Sequence, residues 1–353
     1  MFKRNTKKNN LVGLDIGSSS VKAVELQGKP GSLVLLSLSH ESLQPDSVVD
    51  GQIMELNSVS QTIASIFQSN QIKTDRVAAG VSGSSVIVKN IIVPPMSEAE
   101  LEESIDWHAE EHIPFDIADV SLDYQIVGST ADSLSVLMAA CKRDFVANIK
   151  QAIQLAGKQP VVIDVDAFAL QNCYEVNYDP QPGQAVALLN VGASTMNINI
   201  VQGTRSVFTR DVSVGGNQYT SLLQKELGLT FDEAERVKRS GVLPIGCEQR
   251  DLAEVFETIS DILALEIQKT FDFYRATSED GEGAVQKILI SGGGSKLPGL
   301  ADFLTARFEI PVEHFDPFRQ IKIDARRFDP EYLKEVVPEM AVAVGLALRG
   351  VEA

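Results

Sequence analysis

Asn10-Leu-Val-Gly-Leu-Asp15-Ile-Gly17-Ser-Ser-Ser20-Val-Lys22-Ala-Val-Glu-Leu26 holds two short apolar runs divided by a glycine and three serines. Asn10 to Gly17 reads as a buried strand and Val21 to Leu26 alternates like a second one, so the Gly/Ser stretch is a turn between paired strands. A Walker-type loop would run from strand into helix and end in Gly-Lys-Ser/Thr, a signature the chain does not contain. The same design recurs in Ala187-Leu-Leu-Asn190-Val-Gly192-Ala193-Ser194-Thr195-Met-Asn-Ile-Asn-Ile200. From Asp15 to Asn190 the offset is 175 residues, close to half of the 353, which points to two related domains facing each other and not to a short-period solenoid. A third cluster, Lys287-Ile-Leu-Ile-Ser291-Gly292-Gly293-Gly294-Ser295-Lys-Leu297-Pro298, reads as strand, glycines, then a helix start at Pro298. Glycines there let backbone pass close to a planar or anionic ligand. Two paired-strand loops would clamp phosphates from opposite sides through N–H and hydroxyl donors, while the third shapes a base and ribose pocket.

The bulk composition narrows the function. Charged residues make up 22% and the broad apolar set 44%, a globular balance with material for two or more domains. The formal charge of −17 opposes non-specific binding to nucleic acid or anionic lipid. Only the N-terminal Lys3, Arg4, Lys7 and Lys8 run the other way, and they read as a flexible, solubilising tail over residues 1–9. Cys141, Cys173 and Cys247 are odd in number and far apart, which fits reduced thiols in a cytosolic protein and no disulfide framework. The longest apolar run, Met340 to Leu348, falls well short of the roughly 20 residues of a membrane-spanning helix. The N-terminus lacks the apolar core of a signal peptide.

Together the three loops resemble those of the actin-like, sugar-kinase-like ATPases, in which nucleotide sits in a cleft between two such domains. That superfamily's first loop, Asp-x-Gly-[small]3-x-Lys, stands here as Asp15-Ile-Gly17-Ser18-Ser19-Ser20-Val-Lys22. The resemblance implies that Asp15 holds Mg2+ through water and that Lys22 meets the phosphates of ATP; an ordinary surface salt bridge is the alternative for Lys22. Asn190-Val-Gly192-Ala193-Ser194-Thr195 would be the second phosphate loop, with Asn190 where relatives usually carry Asp. An amide neither accepts a proton nor attracts a metal as a carboxylate does, so at most weak ATPase activity is implied. Gly215-Gly216-Asn217, and Glu235 with Lys238 on one helix face, match positions that touch ribose and base in relatives. A solvent-exposed ion pair one turn apart is the alternative for Glu235 and Lys238.

Ser97-Glu-Ala-Glu100 reads as a capping box opening a helix that Pro114 ends. With Glu110-Glu-His-Ile-Pro-Phe115 and Val120-Ser-Leu-Asp-Tyr-Gln-Ile-Val127 behind it, this stretch closely resembles the PilM family, cytoplasmic actin-like proteins of type IV pilus assembly, in the subdomain they share with the cell-division protein FtsA. The resemblance implies an α/β actin-like ATPase fold: two duplicated domains, each a mixed sheet flanked by helices, plus an inserted α+β subdomain of the FtsA type. The expected division is residues 10–82 and 159–183 for the first domain, 83–158 for the insert, 184–214 and 281–337 for the second domain, 215–280 for its helical arm, and 338–353 for a helix returning to the first domain. It further implies a scaffold peripheral to the inner membrane, recruited by the N-terminal cytoplasmic peptide of PilN, with self-association open.

The FtsA-like alternative, a filament-forming protein, expects a C-terminal amphipathic membrane helix after a linker, whereas Pro338 to Leu348 reads as a helix buried in the first domain. A sugar or metabolite kinase would need a catalytic base. The candidates are Asp164 and Asp166, after the apolar run Val161 to Ile163, and for Asp166 a helix N-cap is the competing reading. His108 and His112 have the spacing of an inverted zinc-protease motif, but their stretch already reads as the helix before Ile-Pro-Phe.

Overall fold

The computed structural model describes residues 10–244, 248–277 and 284–351, so the basic tail and Cys247 lie outside the described residues. The chain opens with β1 (Val12–Ile16), β2 (Ser20–Gln27) and β3 (Val34–Ser42), followed by a small hairpin of β4 (Val48–Val49) and β5 (Gln52–Ile53). Helix α1 (Leu56–Ser69) buries Val59, Ile63, Ile66 and Phe67, a stripe at helical spacing that packs under the sheet. After β6 (Arg76–Val81) comes the insert: β7 (Val86–Val93), α2 (Glu98–Glu110), β8 (Val120–Ser129) and β9 (Leu134–Lys142). Then follow α3 (Arg143–Leu155), β10 (Gln159–Val165) and α4 (Asp166–Asn177). The second half contains β11 (Ala185–Val191), β12 (Met196–Gln202), β13 (Arg205–Val212), α5 (Gly216–Leu227), α6 (Phe231–Ser240) and α7 (Gln249–Thr277). It closes with β14 (Lys287–Ser291), α8 (Leu300–Phe308), β15 (Val312–His314), α9 (Pro330–Val336) and α10 (Ala341–Leu348).

The two halves are built alike. The first sheet runs β10-β6-β1-β2-β3 and the second β13-β12-β11-β14-β15. In each, three antiparallel strands are extended by two parallel ones, the parallel pair having arrived by helical crossovers. The fold is therefore the duplicated α/β architecture expected, with helices on the sheets.

Between the sheets lie α4 and α10. One core joins Val24, Leu26 and Leu35 of the first sheet to Val186, Leu188 and Leu289 of the second through Leu170, Tyr174, Val344 and Ala347. Seven of the eight residues of α10 are buried, which is why it is apolar all round. Two glycines set how closely it packs. A Cβ at Gly13 in β1 would stand 2.0 Å from the Ala343 carbonyl oxygen, and one at Gly345 would stand 1.7 Å from that of Ala169 in α4.

The insert is a three-stranded sheet, β7-β9-β8, with Leu101, Ile105 and Ala109 of α2 packed on it. The Ser97–Glu100 capping box forms as expected: the Glu100 amide donates to Ser97 Oγ at 3.3 Å and the Ser97 amide to Glu100 Oε2 at 2.8 Å. Helix α3, inside the stretch to Lys158 assigned to the insert, instead turns Phe145, Ile149, Ala152 and Ile153 into the core of the first sheet beside α1. Helix α8 begins at Leu300, two residues after Pro298, with Gly299 at its N-cap in the left-handed region.

Candidate functional site

Both hairpins close with the same turn. The Gly17 amide donates to the Ser20 carbonyl at 3.0 Å, and the Gly192 amide to that of Thr195 at 2.9 Å. Beside each turn, strand pairing sets three polar side chains in a row. In the first sheet Asp15 lies opposite Lys22, and Lys22 opposite His40. In the second, Asn190 lies opposite Asn197, and Asn197 opposite Asp211. The predicted Asp15 and Asn190 thus occupy equivalent places, Lys22 has its counterpart in Asn197, and the rows end in His40 and Asp211; the sequence reading missed Asn197, His40 and Asp211. Asn197 was within reach of it, because Lys22 lies at the same 175-residue offset.

Lys22 is no surface residue. Its Nζ donates to Asp15 Oδ2 at 3.1 Å, with the two side chains only 12% and 13% exposed. Burial alone would lower the Lys22 pKa, but Asp15, Glu339 and Asp166 around it outweigh that and hold it above the ordinary lysine value.

The third loop leaves β14 at Gly292, whose φ of 84° suits glycine. A Cβ there would stand 2.4 Å from the Val191 carbonyl oxygen and 2.7 Å from Asn190 Oδ1, so this loop lies directly against the second hairpin. Ser295 Oγ closes the turn by donating to the Gly292 carbonyl at 2.7 Å, and Leu297 is buried behind it. Lys296 donates to Glu339 Oε1 at 2.6 Å, and Glu339 Oε2 meets His40 Nε2 at 3.1 Å, which ties the third loop to the first sheet. Burial would raise the Glu339 pKa, but the His40 hydrogen bond, Lys22 and Lys296 together hold it well below the usual carboxylate range.

On the arm, the Gly216 amide donates to the Gly192 carbonyl at 2.9 Å and the Asn217 amide to that of Ala193 at 2.7 Å. Any side chain at Gly215 would meet those same carbonyls, at 2.5 and 2.7 Å from its Cβ. Glu235 and Lys238 do pair, but not in solvent: they are 18% and 11% exposed. Lys238 Nζ also donates to the Thr220 hydroxyl at 2.8 Å and the Gly216 carbonyl at 3.3 Å, which locks α6 onto α5. Thr220 is a further residue the motifs did not reveal.

The two aspartate candidates part company. Asp164 Oδ2 faces Arg349 Nε at 3.3 Å, beyond the end of α10. Asp166 does not cap its helix: Val165 holds the N-cap position without a side-chain cap bond, and α4 begins at Asp166 itself. Its carboxyl lies instead beside Asp15, hydrogen-bonded with Ser82. A Cβ at Gly80 would collide with Asp166 Oδ1 at 1.9 Å, so that glycine makes its room. Burial first, then the neighbouring Asp15 and Asp211, pushes Asp166 up to about 8, against the lowering effects of Ser82 and Lys22.

That shift has a sign. Folded Asp166 keeps its proton up to about pH 8 while the unfolded chain releases it near the ordinary value of 3.8. This group's contribution to stability therefore falls as pH rises between those values. In chelator-treated, nucleotide-free protein, Asp166→Asn is expected to melt above wild type at pH 8.5, by a margin that is smaller at pH 5 and closes only toward the ordinary value of 3.8. Differential scanning calorimetry at the two pH values checks this.

The cleft between the hairpins offers a lysine, backbone amides, hydroxyls and glycine cradles to an anion, and the Asp15 carboxylate to a hard cation. Among the described residues no group of three or more His, Cys, Asp or Glu stands ready to hold a metal. The lysine, the hydroxyls and the single carboxylate are groups that fit a magnesium nucleotide, whose ion is carried mainly by phosphate and water.

The architecture is that of the actin-like ATPases, in which two duplicated α/β domains enclose a cleft. Residues 13–351 match the model of the type IV pilus assembly protein PilM, and the chain belongs to that family. A solved PilM–PilN type IV pilus biogenesis complex is 30% identical, with 98% of this chain and 99% of that one aligned at a TM-score of 0.87. The cell division protein FtsA of Escherichia coli (strain K12) is 24% identical over 399 residues, 98% of this chain and 91% of that protein. MreB5 of Spiroplasma citri bound to ADP, 13% identical over 95% of this chain and 94% of that one, shares the fold at a TM-score of 0.53. Among the described residues no helix is long and apolar enough to cross a membrane.

Proposed function

We propose that the protein binds Mg-ATP between its two sheets and serves as a nucleotide-dependent scaffold of the pilus assembly complex, held at the inner membrane by the N-terminal cytoplasmic peptide of PilN. The observation that carries the nucleotide reading is the matched pair of turns, Gly17–Ser20 and Gly192–Thr195, beside the buried Asp15–Lys22 pair. In this reading the turns and Lys22 take the phosphates, and Asp15 takes the magnesium through water. The third loop from Gly292 to Leu297 receives the adenosine, with Gly215, Gly216, Asn217, Glu235 and Lys238 on the ribose and base side.

A phosphate chain touched from both halves favours a closed cleft by as much as it binds that state more tightly. Turnover is slow in this reading. Asn190 offers no base, and in the nucleotide-free protein burial and the neighbouring Asp15 favour the protonated form of Asp166. The likeness to the PilM–PilN complex supports PilN as the partner, and a net charge of −17 agrees with recruitment by a peptide in place of lipid. Calorimetric titration with the synthetic N-terminal cytoplasmic peptide of the cognate PilN, with and without Mg-ATP, tests this. Saturable binding whose affinity changes with nucleotide is expected; no binding in either state contradicts it.

A further inference from the structure

The second row of polar side chains is a hydrogen-bond chain with a direction. Asn190 Nδ2 donates to Asn197 Oδ1 at 2.9 Å, and Asn197 Nδ2 donates to Asp211 Oδ1 at 2.8 Å. Asp211 Oδ2 accepts from the Gly83 amide at 2.6 Å, across from the turn that leads into the insert. An ionised carboxylate can only accept. Asn197 must therefore present its amide nitrogen to Asp211, which leaves its oxygen to face Asn190, which must in turn present its own nitrogen. The oxygen of Asn190 is thus turned the other way, toward the Gly292 loop, where Oδ1 is found.

We propose that Asp211 is a positioning residue: acting through Asn197, it fixes the amide of Asn190 with its oxygen toward the Gly292 loop, on the side of the site where an acceptor would serve a bound magnesium nucleotide. With a carboxylate at 211, two strands along, position 190 must then be an amide. With carboxylates at both 190 and 211, the single oxygen of Asn197 would face one of them, acceptor against acceptor. With an amide at both, the direction is free to reverse, and the nitrogen of Asn190 would face the Gly292 loop. Two arrangements keep the direction defined: amide at 190 with carboxylate at 211, as here, or carboxylate at 190 with amide at 211.

The role in the cleft rests on the Mg-ATP reading above, but the reciprocity of the two positions does not. Four proteins test it: wild type, Asp211→Asn, Asn190→Asp, and the double variant. Melting temperatures of the nucleotide-free proteins are read first. Asn190→Asp, which sets acceptor against acceptor, is expected to lose about 3 °C or more, Asp211→Asn, whose chain can reverse, to lose less, and the double to recover most of the Asn190→Asp loss. Losses that add overturn the proposal, whether or not the protein takes nucleotide. Calorimetry with Mg-ATP then reads the cleft. Asp211→Asn, in which the nitrogen of Asn190 can turn outward, is expected to bind about tenfold more weakly, and unchanged affinity in that variant overturns the positioning role. If wild type itself takes up no Mg-ATP while the melting temperatures remain reciprocal, the nucleotide reading fails and the relay stands. Additive melting losses with intact nucleotide binding mean the reverse.

Discussion

Replacing Lys22 by alanine is expected to lower Mg-ATP affinity by about 100-fold or more, equivalent to about 2.7 kcal/mol. The loss has two sources. The lysine is the cation among Asp15, Asp166 and Glu339, all of which act on it electrostatically. Without it the phosphates would lose a cation and face the Asp15 carboxylate unpaired. The nucleotide-free protein is expected to weaken as well, because removing one member of a buried pair strands the other in a poorly solvated place. Lys22→Arg keeps the charge but not the compact ammonium, so it should recover stability better than affinity. Isothermal titration on the two variants, alongside their melting curves, separates the effects. A Lys22→Ala variant that binds as tightly as wild type would mean that the nucleotide, if bound, lies elsewhere.

Gly345→Val is expected to produce the largest loss of stability of any single change considered, about 3 kcal/mol or more. Its Cβ would be driven to 1.7 Å from the Ala169 carbonyl oxygen, an atom of α4 backbone that cannot rotate away. Relief requires α10 to lift from α4, opening the core that joins the two sheets. A loss of that size corresponds to a drop of about 4 °C in melting temperature for a chain of 353 residues. Gly13→Val attacks the same contact from β1, with its Cβ 2.0 Å from the Ala343 carbonyl oxygen. Gly31→Val provides a control, since its position is exposed and a Cβ there meets nothing within 4 Å, although a φ of 80° adds some strain. If Gly345→Val melts like that control, α10 does not sit as closely as described.

The parts of the site legible in the sequence are those the chain writes locally. The turn after Asp15 and its copy after Asn190 could be read because apolar runs flank a glycine and small hydroxyl residues, and because both hairpins keep the same count from strand to strand. The third residue of each row was hidden. Six residues link β2 to β3 but only two link β12 to β13, so the offset between His40 and Asp211 is 171 and not 175. A search at fixed spacing passes over that correspondence, which only strand pairing reveals. The Glu235–Lys238 pair was visible as a helical spacing, but whether it met solvent depended on how α6 lies on α5, a matter of tertiary contact. For the same reason Gly13 and Gly345 looked like ordinary glycines until the approach of α10 gave each a reason. For Asp166 the local sequence offered a helix cap beside the role of a base, because an aspartate stands at a helix start; the room made at Gly80 turns its carboxyl inward and removes the cap.

The account depends most on the cleft taking a magnesium nucleotide, and isothermal titration of nucleotide-free wild-type protein with Mg-ATP tests that directly. Saturable binding of one nucleotide per chain, weakened by Lys22→Ala, is the predicted result. A folded sample that takes up no Mg-ATP at any concentration tried would contradict it and leave the matched turns as features of a nucleotide-independent scaffold.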